Sequence, residues 1–125
     1  MELKQRLFQT LTGSTGITQH VGINNICYNI IDENQLNTNT IAYNLLVQSH
    51  IKDMRGVIFA KNYDVEININ SPTLTQLYLI NDEIVKTFEK ELSIFQSDVQ
   101  RPFYDEENNI FTLSLSFEFP NVVEN

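Results

Sequence analysis

From Asn62 to Asn70 the chain alternates without a break: Tyr63, Val65, Ile67 and Ile69 project to one side, and Asn62, Asp64, Glu66, Asn68 and Asn70 to the other. A period of two marks a strand with one dry and one wet face. The pattern returns as Phe111, Leu113, Leu115, Phe117 and Phe119 against Thr112, Ser114, Ser116 and Glu118. Between these runs, Ser71-Pro72 predicts a helix start, because a serine hydroxyl can accept an early backbone N–H and proline suits a first helical position that needs no donor. Set at steps of about 100°, Leu74, Leu77, Ile84, Val85, Phe88, Leu92 and Phe95 share one broad sector. The helix is expected to run from Pro72 to about Ile94, roughly 35 Å at 1.5 Å per residue. Two one-sided strands and one long helix describe a small sheet with a helix on its apolar face.

Two residues depart from that helix pattern. Asn81 falls near the centre of the apolar sector and is expected to bond neighbouring backbone, since a buried amide needs partners. Leu79 falls almost opposite the sector. An isolated exposed leucine is ordinary, so the functional reading of Leu79 is contact with another subunit.

The rest of the chain supplies further elements. Leu3, Leu7 and Leu11, with Phe8 beside them, form the stripe of a short N-terminal helix that Thr12-Gly13-Ser14 stops. Gly13 to Asn24 reads as a loop. Asn25–Ile31 and Ile41–Val47 read as strands, the second more apolar and so more central, with the polar turn Asp32–Thr40 between them. Gln48–Ile58 has no clear period; if Ile41–Val47 pairs with Phe59–Asn70, it becomes a long hairpin arm or a mobile loop. Five polar residues, Asp105 to Asn109, separate Val99–Tyr104 from Ile110–Phe119 and predict a hairpin. Pro102 lacks a ladder donor, so its strand should lie at an edge or bend there. The expected fold is α+β: a mostly antiparallel sheet with a long helix and a short N-terminal helix packed on one face, in the order α-β-β-β-α-β-β. Residues 1–119 are read as one domain and 120–125 as an unstructured tail.

Composition narrows the function classes. The chain has 125 residues, a hydrophobic fraction of 42% and a formal net charge of −8. That length supports a core without metals or disulfides, and that charge opposes gripping of nucleic acid, which needs clustered Lys and Arg. A single cysteine, Cys27, excludes an intrachain disulfide; in an apolar strand it should be a buried, inert thiol. The N-terminal segment carries charges where a secretory signal needs an apolar run, and no stretch of eighteen apolar residues occurs. The chain is therefore expected in the cytoplasm, with no membrane partner.

No catalytic, cofactor or metal constellation emerges. His20 and His50 lie thirty residues apart in expected loops. Asp64 and Glu66 share a strand face, as carboxylates of two-metal nucleases do, but Asn68 stands where such sites usually carry lysine; a wet strand face explains them. No Gly-rich phosphate loop is present. The chain is read as a non-enzyme.

Several segments carry a resemblance: ICYNII with its polar follow-on DENQLNTNT, the strand IAYNLLV, the passage YDVEININSPTLTQLYLINDEIVKTF, and the closing FTLSLSFEF. Over roughly Leu3 to Phe119, their order resembles the tail-completion or tail-terminator proteins of long-tailed bacteriophages. The resemblance implies a virion protein, assembled in the bacterial cytoplasm, that forms a ring, typically of six copies. Such a ring caps the tail-tube protein and joins it to the head connector, while DNA passes through without specific binding. Candidate subunit-interface residues are Leu79 and, on the 48–58 arm, His50, Ile51, Lys52, Met54 and Arg55. A different neck or minor tail component, or a non-viral adaptor module, has the same small α+β shape.

Overall fold

The computed structural model describes residues 2–29 and 38–123. Its centre is the antiparallel pair of β3 (Ile58–Ser71) and β6 (Ile110–Val122), with Ile67 opposite Leu115 and Val65 opposite Phe117. All four apolar residues of the first alternating run are buried, as are Leu113, Leu115, Phe117 and Phe119. β2 (Thr40–Lys52) pairs antiparallel with the other side of β3. β1 (Ile26–Tyr28) adds a short parallel strand outside β2. The opposite edge is one interrupted strand: β4 (Gln96–Val99) and β5 (Phe103–Asp105) both pair with β6, and Pro102 lies in the break between them. The sheet order is β1-β2-β3-β6-β4, with β5 beside β6. This is the expected α+β fold. The expected polar turn Asp32–Thr40 lies largely outside the described residues, as do Ile30 and Ile31 of the first strand.

Helices cover only the face bearing Tyr63, Val65, Ile67 and Ile69. α1 (Leu3–Gly13) buries Leu3, Leu7 and Leu11, and Phe8 lies at its exposed margin. Ser14 ends α1 and caps α2 (Thr15–Thr18) by accepting the Ile17 N–H. The expected Gly13–Asn24 loop thus contains a helical turn, followed by a 3₁₀ turn at Ile23–Asn25. α3 (Leu74–Thr87) crosses β3 and β6, and Phe88 beyond it stacks on Phe117 at 4.4 Å between ring centroids.

α3 begins later than its Ser-Pro signal suggested. Ser71 remains in β3 opposite Phe111, and its hydroxyl donates to Asn39 Oδ1 at 2.7 Å. Thr73 is the cap instead, its Oγ1 accepting the Gln76 N–H at 3.3 Å. At the other end, Phe88–Leu92 widen into a π-type turn, and Ser93 stops the helix in the left-handed region, φ 55°. The helix therefore ends before Phe95, which falls in the link to β4 (Gln96–Val99). Phe95, expected inside, is 68% exposed.

The buried seam of α3 is also rotated from its expected centre. It runs Leu77, Ile80, Ile84, Thr87 and Phe88, with Leu74 largely exposed and Val85 and Leu92 half-buried on the flank. The cause is a second packing partner. α1 and α2 lie against the side of α3 as well as over the sheet, so that Ser14 Oγ meets Thr87 Oγ1 at 3.2 Å. Gly16 makes the approach close enough that a Cβ there would run into the Glu83 carboxylate. Asn81 consequently sits on the seam's flank, half-buried. Its Nδ2 donates to Asp82 Oδ1 at 3.3 Å rather than to backbone, and its enclosed Oδ1 has no partner among the described residues.

Two further expectations are corrected. Cys27 is half-buried, because β1 is an outer strand and Cys27 points to the sheet's uncovered face; its Sγ lies 3.9 Å from the Asn24 carbonyl. The segment after Phe119 is not loose throughout: β6 continues through Pro120 to Val122, where Val122 pairs with Lys61.

The rotated seam makes a distinguishing pair of substitutions. Ile80→Ala should cost about 2–5 kcal/mol of unfolding free energy, and Leu74→Ala less than about 1 kcal/mol; urea unfolding curves of the two variants measure both.

Candidate interaction surface

β2 and β3 outrun the rest of the sheet. Pairing between β3 and β6 ends at Lys61–Val122, whereas β2 and β3 stay paired to Lys52–Ile58. Ser49–Lys52 and Ile58–Ala60 therefore form a two-stranded arm, the first of the two alternatives expected for this segment. The sequence dictates its tight closure. Asp53 accepts the Arg55 N–H at 2.9 Å and the Val57 N–H at 3.0 Å through Oδ1, and its Oδ2 takes the Arg55 guanidinium at 3.0 Å. Gly56, at φ +83°, donates its N–H to the Asp53 carbonyl, completing the αL-glycine turn that three-residue hairpin connections favour.

These bonds hold the Asp53 carboxyl below its ordinary pKa, chiefly through the Val57 N–H and then the Arg55 side chain. A lowered carboxyl pKa stabilises the turn above the ordinary carboxylate range, and the contribution disappears as pH falls through the folded-state pKa.

The arm carries apolar side chains without cover. Met54 is 105% exposed, Val57, Ile58 and Phe59 are also exposed, and exposed Leu46 and Val47 lie in the sheet before the arm begins. Of the sequence-derived interface candidates, His50 pairs with Lys61, Ile51 with Ala60 and Lys52 with Ile58, while Met54 and Arg55 occupy the turn. Those five are one contiguous feature. Leu79 is elsewhere, on the outward face of α3 next to exposed Tyr78.

Val57 and Ile58 fall within the Gln48–Ile58 arm without being named as candidates, and Phe59 reads as part of the following strand. Three consecutive apolar residues without alternation make both faces of a strand non-polar, and that run was the available signal. Sequence reading also missed Phe103 and Tyr104, which stand exposed on β5 where the edge strand is interrupted.

Among the described residues the sheet face opposite the helices is uncovered and polar around Asp64, Glu66 and Glu118, with Leu46 beside them. Asp64 lies directly opposite Glu118 and near Glu66; partial burial first, then the Glu118 and Glu66 charges, raise its pKa. Among the described residues no group of three His, Cys, Asp or Glu side chains is arranged to hold a metal ion. An open polar groove of about 650 Å³ lies between α1, α2 and α3, lined by residues including Arg6, Gln9, Glu83, Lys86 and Lys90. His20 lies against Gln19 and His50 lies on the arm, so the structure does not bring the two histidines together. Among the described residues no helix is long and apolar enough to cross a membrane. No protein-family model matches the chain, and no curated protein matches it.

The arm's closure should be pH-dependent. The protection factors of the Arg55 and Val57 amides, measured by NMR as exchange relative to the unstructured rate at the same pH, should be high at neutral pH and fall as pH drops through the folded-state pKa of Asp53. In Asp53→Ala they should be low at every pH.

Proposed function

We propose that this chain is a structural subunit that associates with copies of itself into a ring, and that the ring completes a phage tail tube and joins it to the head connector. One observation carries the self-association: a tightly closed β-arm reaches beyond the sheet with Met54, Val57, Ile58 and Phe59 in water. A two-stranded ribbon is marginal by itself, and grouped exposed apolar side chains mark interaction surfaces. A non-polar arm held by the Asp53 turn is therefore suited to a partner.

The narrower assignment to a tail ring rests on the resemblance of the strand, helix and hairpin segments to tail-completion proteins. The acidic uncovered face is compatible with it. Asp64, Glu66 and Glu118 would make a wall that repels passing DNA instead of holding it. Leu79 and Tyr78 supply a second non-polar contact on the helical layer.

Sedimentation velocity of the purified chain across concentrations, with electron microscopy of the largest species, tests the proposal. Defined closed rings are expected. Leu79→Asp should keep the circular dichroism of the parent and weaken association at least tenfold; deletion of Lys52–Arg55 should spare the sheet and impair joining to tail tubes. A chain that stays monomeric at every concentration, alone and with tail tubes, would overturn the reading.

A further inference from the structure

The arm differs from the rest of the molecule in charge. Lys52 and Arg55 in the arm and Lys61 at its base, against Asp53 alone, leave that end net positive, on a chain whose formal charge is −8. At the other end of the sheet stands its opposite. The β5–β6 turn presents Glu106 and Glu107, both exposed, immediately after exposed Phe103 and Tyr104. One end is apolar and basic; the other is apolar and acidic.

Register fixes how far apart they are. β3 and β6 are paired from Lys61–Val122 at the arm end to Ser71–Phe111 at the turn end. Ten residues of strand at about 3.3 Å each separate the two by about 33 Å. Within one chain they cannot meet. Between copies they can, and contact of unlike patches at opposite ends is the geometry of a heterologous, head-to-tail interface.

The acidic end is also pre-shaped. Asp105 accepts the Glu107 N–H at 3.0 Å and Asn108 Nδ2 at 2.8 Å, and the Tyr104 hydroxyl donates to Asn109 Oδ1 at 3.0 Å. A turn already held in one conformation loses little freedom when it is docked. The uncovered sheet face is acidic too, and exposed Leu46 lies opposite Asp64, but its exposed aromatic side chain, Phe103 opposite Thr112, stands at the turn end of the sheet, away from Asp64 and Glu118.

We infer that the arm of one copy docks on the β5–β6 hairpin end of the next, with Lys52 and Lys61 facing Glu106 and Glu107 and Met54 and Phe59 packing against Phe103 and Tyr104. This rests on the reading of the chain as a self-associating subunit and adds which two surfaces meet. Attraction between partly exposed charges is screened by salt, so association weakens as ionic strength rises.

Two full-length variants test it, each placed outside the Asp53–Arg55 turn: Lys52→Glu with Lys61→Glu, and Glu106→Lys with Glu107→Lys. By sedimentation, each alone should require at least tenfold more protein than the parent to associate, because like charges would then face each other. Mixed in equal amounts they should assemble as the parent does, in alternation, since each arm then meets an end of opposite sign. Recovery on mixing also excludes misfolding as the cause of the loss. Parental association by either variant alone, or no recovery in the mixture, would overturn the inference while leaving self-association intact. Recovery with Asp64→Lys and Glu118→Lys in place of the turn variant would overturn it by moving the acceptor to the sheet face. A parent chain that never associates removes the underlying reading itself.

Discussion

The long ladder between β3 and β6 is the constraint from which the other elements take their positions. Their alternating side chains meet in register, so a single apolar surface built from Val65, Ile67, Ile69, Leu113, Leu115 and Phe117 must be covered at once. Slippage by one residue would exchange that surface with the row of Asp64, Glu66, Asn68, Ser114 and Ser116. α3 crosses the surface and α1 fills the remainder with three leucines. The side chain of Phe88 ties helix to ladder, with Phe117 and Phe119 both within ring-stacking distance. Registry, helix placement and the orientation of the uncovered face all follow from one two-strand pattern.

Much of this was legible because both long strands are wet on one side and dry on the other. The period-two signal is strong under those conditions, and the break at Pro102 follows from its missing N–H. The helix was legible in kind but not in phase. Thr87 is met by Ser14 at the α1–α2 junction, which a helix-on-sheet picture leaves out. The apolar Ile80, three residues after Leu77 and four before Ile84, was the sign within 74–87 that the seam extends to that side. Gly16 is the junction's trace in sequence, intelligible only once Glu83 is seen beside it. The helix start was displaced because Ser71 has competing obligations: it ends a strand and bonds Asn39, leaving Thr73 to cap.

The interaction surface was legible in part. Irregularity from Gln48 to Ile58 marked a segment that leaves the core, and His50, Ile51, Lys52, Met54 and Arg55 do form one projecting feature. Its construction depends on a side chain bonding its own backbone: Asp53 gathers two amides and a guanidinium, and Gly56 adopts the conformation that closes the turn. Leu79 belongs to a different part of the surface, so one list of candidates divides into two places. Phe103 and Tyr104 escaped notice because an edge strand of three residues has no period to read.

Among the described residues both flanks of the sheet are partial. On one, β1 contributes three residues; on the other, the strand is interrupted at residues 100–102. A full-length, uninterrupted flank would offer a template on which copies could stack side by side without limit, the route to fibrous aggregates. Among the described residues β1 covers β2 only as far as Tyr43, so the remaining edge of β2 is long. The irregularities at Val47–Ser49 and Ile51–Lys52 bend it out of line, and a bent margin is a poor template for side-by-side stacking.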